Sequence, residues 1–151
     1  MPHPPLRSGH VDTFAAKRLP PPELQPVFLF DRPALRYPER LNATVELVDS
    51  HVAAGRGDRL AMIDGAGVAW TYATLKRTID RIANVLVGDL GLVPGNRVLV
   101  RAPNSPITAA AILAVVKAGG IVVATMPLLR AKEITQILDK AQIGLALCDT
   151  R

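Results

Sequence analysis

The sequence predicts an α/β protein: a partial doubly wound sheet of parallel strands and crossover helices, preceded by a β-hairpin, a helix and a proline-rich arm. Three observations carry that prediction. Apolar runs recur at Arg97–Ala102, Ile121–Thr125 and Leu145–Cys148, the first two carrying β-branched residues. Helical segments, Ser105–Ala118 and Ala131–Ala141, separate them, and Gly or Pro punctuates the joins. Continuous apolar strands need cover on both faces, which a parallel sheet with right-handed helical crossovers supplies.

Element by element, the lead comes first. Nine of the 13 prolines fall in residues 1–40, and proline fixes φ and removes a backbone donor, so no regular helix or central strand forms there. The same stretch holds Phe14, Phe28, Phe30 and Tyr37, four of the six aromatics. Residues 1–40 are therefore expected to form an extended arm anchored by rings, and residues 41–151 an incomplete α/β portion. Asn42 caps a helix over Ala43–Ala54, with Val45, Leu47, Val48 and Val52 as its apolar face and Gly55 as its stop. Leu60–Asp64 and Val68–Thr71 flank Gly65-Ala66-Gly67 as a hairpin. Thr71 or Tyr72 opens a helix to about Asp89. Leu75, Ile79, Ile82, Ala83 and Leu86 keep its helical period, while Lys76, Arg77, Asp80 and Arg81 face water; Gly91 ends it. The Ser105–Ala118 helix is almost wholly Ala, Ile, Leu and Val, so it is buried on most sides, and Gly119-Gly120 closes it. After Cys148 only three residues follow in this sequence, so three parallel strands are left with much apolar surface to cover.

Composition narrows the function. Hydrophobic residues make up 49% and charged residues 21% of the 151, which excludes a wholly disordered chain. Lys and Arg number 18 against 13 Asp and Glu, a net charge of +5. The charge is spread: six basic against four acidic residues in 1–40, six against six in 41–100, six against three in 101–151. With no basic run and few aromatics to stack on bases, no nucleic-acid partner is expected. The longest uncharged stretch, Ala102 to Val116, has 15 residues and contains Pro103 and Pro106, too short and broken for a membrane helix of roughly 20 residues, so no membrane partner is expected. One cysteine and no apolar leader point to the cytoplasm.

Chemical motifs are sparse in this sequence. Neither a G-x-x-x-x-G-K-[ST] loop nor a G-x-G-x-x-G motif is present. His3, His10 and His51 lack metal-ligand spacing, so no metal site is expected. Cys148 reads as core packing on a buried strand rather than a nucleophile. The Asn42-Ala43-Thr44 sequon reads as a helix cap, and Gly55-Arg56-Gly57-Asp58 as a chance tetrapeptide. One loop qualifies as a ligand contact. Thr125-Met126-Pro127 leaves the C-terminal end of a parallel strand, where α/β folds bind small molecules. Arg130 and Lys132, near the next helix start, could meet phosphate; a plain crossover loop turned by Pro127 is the competing reading. Asn104 is a similar candidate, which a helix entry also explains.

With these residues in view, the chain resembles the N-terminal part of AMP-forming acyl-CoA synthetases, in the adenylate-forming ligase superfamily. Trp70-Thr71-Tyr72-Ala73-Thr74-Leu75 is similar to that family's TY-x-x-L signature, and LGLVPGNRVLVRAPNSP (90–106) and AILAVVKAGGIVVATMPLL (111–129) to its first strand, buried helix and second strand. HVDTF and LPP (10–14, 19–21), YPERLN (37–42), PGNRVLVRAPN (94–104), VKAGGIVVATMPLLRAKE (116–133) and LCD (147–149) resemble 2-aminobenzoate–CoA ligases. Asn96, where the wider superfamily often has Asp, fits that narrower pattern.

The resemblance implies the large α/β domain of such a ligase and a two-step reaction on a small carboxylate, using ATP, Mg²⁺ and CoA. It places Thr125, Met126 and Pro127 beside the CoA channel. The family's phosphate loop, adenine motif and catalytic Lys have no counterpart in this sequence, so no catalytic residue is carried over and no cofactor is expected to bind this segment tightly. The open sheet implies association with the rest of an enzyme or with itself. A free-standing α/β nucleotide- or CoA-binding module, or a partner-docking module, is the alternative.

Overall fold

The computed structural model describes residues 8–27, 32–35, 37, 38 and 40–149. Its regular elements are α1 (Ser50–Ala53), β1 (Leu60–Ile63), β2 (Ala69–Thr71), α2 (Tyr72–Asn84), β3 (Arg97–Arg101), α3 (Pro106–Lys117), β4 (Ile121–Thr125), α4 (Ala131–Ala141) and β5 (Leu145–Cys148). A π-helical turn, Val45–Asp49, leads into α1, and a second, Val85–Asp89, continues α2. β1 and β2 pair antiparallel, and the Asp64 carboxylate ties their turn by accepting from the Ala66 and Val68 N–H groups at 2.9 and 2.8 Å. The larger sheet has the order β4-β3-β5, parallel throughout, with Leu99 opposite both Val123 and Ala146.

Side chains at the helix starts explain where they begin. Thr71 Oγ1 accepts from Thr74 N–H at 3.2 Å, and Ser105 Oγ from Thr108 N–H at 3.2 Å ahead of Pro106. Asn42 works at two helix ends. Its Oδ1 accepts from Thr44 N–H at 3.1 Å, while Nδ2 donates to the Lys117 carbonyl at 3.1 Å, where α3 runs out of partners.

The core lies between one sheet face and the α2–α3 pair. Leu75, Ile79 and Leu86 from α2 and its extension meet Val98 from β3 and Ala110, Ala114 and Val115 from α3, all but closed to solvent. Each buried Leu, Ile or Val there is worth about 1.5–3 kcal/mol. Strand alternation sends Val98 and Val100 to this side and Arg97, Leu99 and Arg101 to the other, which α4 covers. Helices thus lie on both faces, as the doubly wound pattern requires.

Three sequence expectations are corrected. Cys148 is exposed, not buried, because β5 is an edge strand whose alternation turns Leu145 and Leu147 to the core and Ala146 and Cys148 away from it. Of the expected apolar face of the first helix, Val48 alone is fully buried, while Val45 and Leu47 are 40% and 60% exposed; the other fully buried position is the polar Thr44. Contact follows the i, i+4 line of Thr44, Val48 and Val52, with Thr44 Oγ1 donating to the Leu113 carbonyl at 2.8 Å. Asp80 does not simply face water. Lys117 Nζ lies 2.5 Å from Asp80 and 2.6 Å from Asp49, and Lys76 Nζ 2.6 Å from Asp80. Burial pushes Asp80 up, but hydrogen bonds from Lys117 and then Lys76 outweigh it and hold the carboxyl below its ordinary value. Desolvation likewise pushes Lys117 down, and the two carboxylates outweigh it and raise it.

The lead meets the α/β body at the N-terminal end of β3. The Val11 and Asp12 N–H groups both donate to the Pro94 carbonyl at 2.9 Å. The Asp12 carboxylate accepts from Phe14 N–H (2.8 Å), Asn96 Nδ2 (2.9 Å) and Arg97 Nη1, and the Phe14 ring lies 4.4 Å from the Arg97 guanidinium carbon. The Phe14 N–H first, with Arg97 and Asn96, holds the Asp12 carboxyl down at about 2. Of the other rings expected as anchors, Tyr37 is exposed, and Phe28 and Phe30 lie outside the described residues.

Candidate functional site at the strand ends

β3, β4 and β5 end side by side, with Arg101 opposite Thr125 and Cys148. From Thr125 the chain turns through Met126 and Pro127, closed by Leu129 N–H donating to the Met126 carbonyl at 3.3 Å. Arg130 then starts α4: its N–H donates to the Glu133 carboxylate at 3.0 Å, which satisfies one free donor of the helix entry. Thr125, Met126, Pro127 and Arg130 are therefore parts of one continuous loop. Asn104 stands exposed on the separate loop that enters α3, where Ser105 is the cap. Lys132 is exposed on the first turn of α4.

The loop is apolar and open. Met126 and Leu128 are 63% and 86% exposed, while Thr125 Oγ1 is buried with no hydrogen-bond partner. Sequence reasoning missed what holds it. Arg101 Nη2 donates to the Leu129 carbonyl at 3.1 Å and to the Pro127 carbonyl, and its Nε is buried without a partner. None of the ion pairs among the described residues includes Arg101. The signal was present: a guanidinium at the last position of the apolar strand RVLVR, at the end where ligands bind. Beside it an open groove of about 400 Å³ runs under α4, lined by Leu99, Leu129, Ile134, Leu138, Ala146 and Cys148.

A groove whose walls are apolar apart from the Arg101 cation suits a largely apolar group better than a bare ion. For a metal the residues do not fit: among the described residues no three His, Cys, Asp or Glu side chains gather to hold one. Nor, among these residues, is any helix long and apolar enough to cross a membrane.

Comparison with known proteins fits this architecture. The AMP-binding enzyme family model matches residues 50–151, and the chain belongs to that family. It is 32% identical over 115 residues to benzoate–CoA ligase of Thauera aromatica, covering 76% of this chain and 22% of that protein. It is 38% identical over 112 residues to salicyl-AMP ligase/salicyl-S-ArCP synthetase of Mycobacterium tuberculosis, covering 70% of this chain and 20% of the relative. Acetyl-coenzyme A synthetase of Streptomyces coelicolor is 42% identical over 83 residues, 52% of this chain and 13% of that protein. Among solved structures, apo MatB from Rhodopseudomonas palustris superposes with a TM-score of 0.65 at 29% identity, covering 72% of this chain and 21% of that one. The chain thus spans about a fifth or less of the length of these relatives.

Proposed function

We propose that this chain is the N-terminal segment of an ATP-dependent aromatic acid–CoA ligase acting on 2-aminobenzoate or a benzoate-type acid. The carrying observation is the reach of the similarity. The benzoate and salicylate relatives align over 76% and 70% of the chain, the Streptomyces coelicolor acetate relative over 52%. The 2-aminobenzoate choice draws further on the stretches PGNRVLVRAPN and VKAGGIVVATMPLLRAKE.

In the reaction, a carboxylate oxygen attacks the α-phosphorus of ATP and the α–β phosphoanhydride bond breaks, releasing pyrophosphate. The CoA thiol then attacks the acyl carbonyl, loses its proton and expels AMP. This segment supplies none of the reacting groups. Its sequence has no counterpart of the family's phosphate loop, adenine motif or catalytic Lys, which supports the reading that it is inactive alone. Its contribution is scaffold plus one contact: Thr125, Met126 and Pro127, with Arg130 behind them, border the CoA path. The buried, unbonded Thr125 hydroxyl and the exposed apolar loop beside it support that assignment. One cysteine and the need for ATP and CoA support a cytoplasmic setting. The exposed apolar groove supports contact with other parts of the ligase.

The test is carboxylate-dependent ATP–pyrophosphate exchange, run on the 151-residue chain and on the native product captured from its source cell with an antibody to this segment. The chain alone should give no exchange, and the native product should exchange with 2-aminobenzoate or benzoate well above acetate. Exchange by the isolated chain, or a preference for acetate, would refute the reading.

A further inference from the structure

α4 lies over the outer face of the sheet without a single fully buried residue, and the groove beneath it separates Ile134 and Leu138 from Leu99 and Ala146. Close apolar packing therefore does not fix it there, as it fixes α3 on the opposite face. Two arginines do. Arg97 and Arg101 are the first and last residues of β3 and stand on the same face, four positions apart. At the rear of α4, Arg97 Nε donates to the Ala141 carbonyl at 2.8 Å and Nη2 to the Gln142 carbonyl at 2.9 Å. These are orphan carbonyls of a helix C-terminus, where a cation also meets the negative end of the helix dipole. Gln142 has a φ of +48°, a left-handed conformation that a non-glycine residue keeps only when its surroundings impose it. At the front, Arg101 holds the Pro127 and Leu129 carbonyls of the loop that enters α4.

The rear guanidinium is itself held. Arg97 is only 8% exposed, and its Nη1 donates to the Gly95 carbonyl at 3.0 Å and to the Asp12 carboxylate of the arm. An arginine spends little further entropy in such a fixed fork, and the carboxylate offsets a charge that burial would otherwise penalise.

We propose that α4 is a clamped element: the two arginines of β3 hold its two ends by main-chain carbonyls, and Asp12 of the arm locks the rear clamp. Arg97, Arg101 and Asp12 are positioning residues. The arm, which lies outside the 50–151 family match, acts on α4 through Arg97, which Asp12 pairs and the Phe14 ring flanks. Because α4 begins at the Thr125–Arg130 loop, the front clamp also sets that loop for CoA, a consequence that rests on the function proposed above.

Amide hydrogen exchange on the whole chain tests the clamp. Arg101→Met should speed exchange in 126–131 at least tenfold. Asp12→Ala should do the same in 138–144 as well as in the arm, and in both variants the α3 amides should stay within twofold of the parent. Arg101→Lys, which keeps the charge but not the fork, should fall between parent and Arg101→Met, and serves where the methionine variant does not fold. Unchanged exchange at the named ends, or an equal rise in α3, overturns the clamp. In the thioester-forming ligase, Arg101→Lys should raise the KM for CoA and leave that for ATP unaltered. Faster loop exchange with an unaltered KM for CoA would overturn the CoA assignment and leave the clamp standing.

Discussion

Gly95→Ala isolates what the arm contributes to the fold. Gly95 has a φ of +94°, and a Cβ placed on it would stand 2.2 Å from the Asp12 carbonyl oxygen and 2.9 Å from His10 Cβ. Neither distance is tolerable, and the nearer atom is backbone, so the arm has to lift. The loss has two parts. Holding a side-chain-bearing residue in that backbone conformation costs roughly 1–3 kcal/mol. Lifting the arm breaks the Val11 and Asp12 N–H bonds to the Pro94 carbonyl, at about 0.5–1.5 kcal/mol each. Together the variant should lose roughly 2–6 kcal/mol. Gly91→Ala is the control, since Gly91 has a φ of +63° with nothing within 4 Å of its added Cβ, and only the first part applies. Urea unfolding followed by the fluorescence of Trp70, the single tryptophan and a neighbour of the core, reads both. The difference between variants, about 1–3 kcal/mol, is the arm's share. If the two variants lose the same stability to within roughly 0.5 kcal/mol, the arm contributes nothing and the contacts at Pro94 are incidental.

Two further outcomes follow from the charged clusters. The Asp12 carboxyl sits at about 2 in the folded chain, against an ordinary 3.8, chiefly through the Phe14 N–H and then Arg97. A lowered folded value stabilises above the ordinary one and fades as pH falls through the folded one, so this contribution is complete above pH 3.8 and lost on the way to pH 2. The stability gap between parent and Asp12→Asn should accordingly close in that window, and a gap that persists unchanged at pH 2 would refute the assignment. Lys117→Met leaves Asp49 and Asp80 without their shared donor. Side chains 20–33% exposed moderate the penalty, so a loss of about 1–3 kcal/mol in urea unfolding is expected, and a loss below about 0.5 kcal/mol would mean the cluster is solvated and idle.

The body of the fold was legible because its signals are local and periodic. Thr71 and Ser105 announce their helices by capping chemistry, and the runs at 97–101, 121–125 and 145–148 are apolar and bounded by turns. What escaped is what depends on neighbours distant in sequence. Whether Cys148 is buried depends on β5 lying at a sheet edge, and a strand's own residues do not encode its place in the sheet order. Whether Asp80 faces water depends on Lys117, 37 positions away, arriving from another helix. Asn42 was read as a cap for its own helix, yet its amide also serves the end of α3 across 75 residues.

The candidate site shows the same division more sharply. Thr125, Met126, Pro127 and Arg130 could be picked out because their position, just past a parallel strand, is written in the order of elements. Arg97 and Arg101 could not be ranked with them, since an arginine in an apolar strand reads equally as an edge residue turned to water. Their roles come from parity: spaced by four, both emerge on the face that the core does not use, and the strand's length matches the span between the two ends of α4. On β3 the middle of that face is left to Leu99, 3% exposed at its own position but bordering a groove that α4 does not fill. Polar groups fix the ends and apolar groups leave the centre loose, the reverse of the α3 side, where Ala114 and Val115 pack against the sheet to exclusion of solvent. One sheet thus carries a rigid face that holds the fold and a tethered face whose helix is set by three side chains, and the loop proposed to meet CoA belongs to the second.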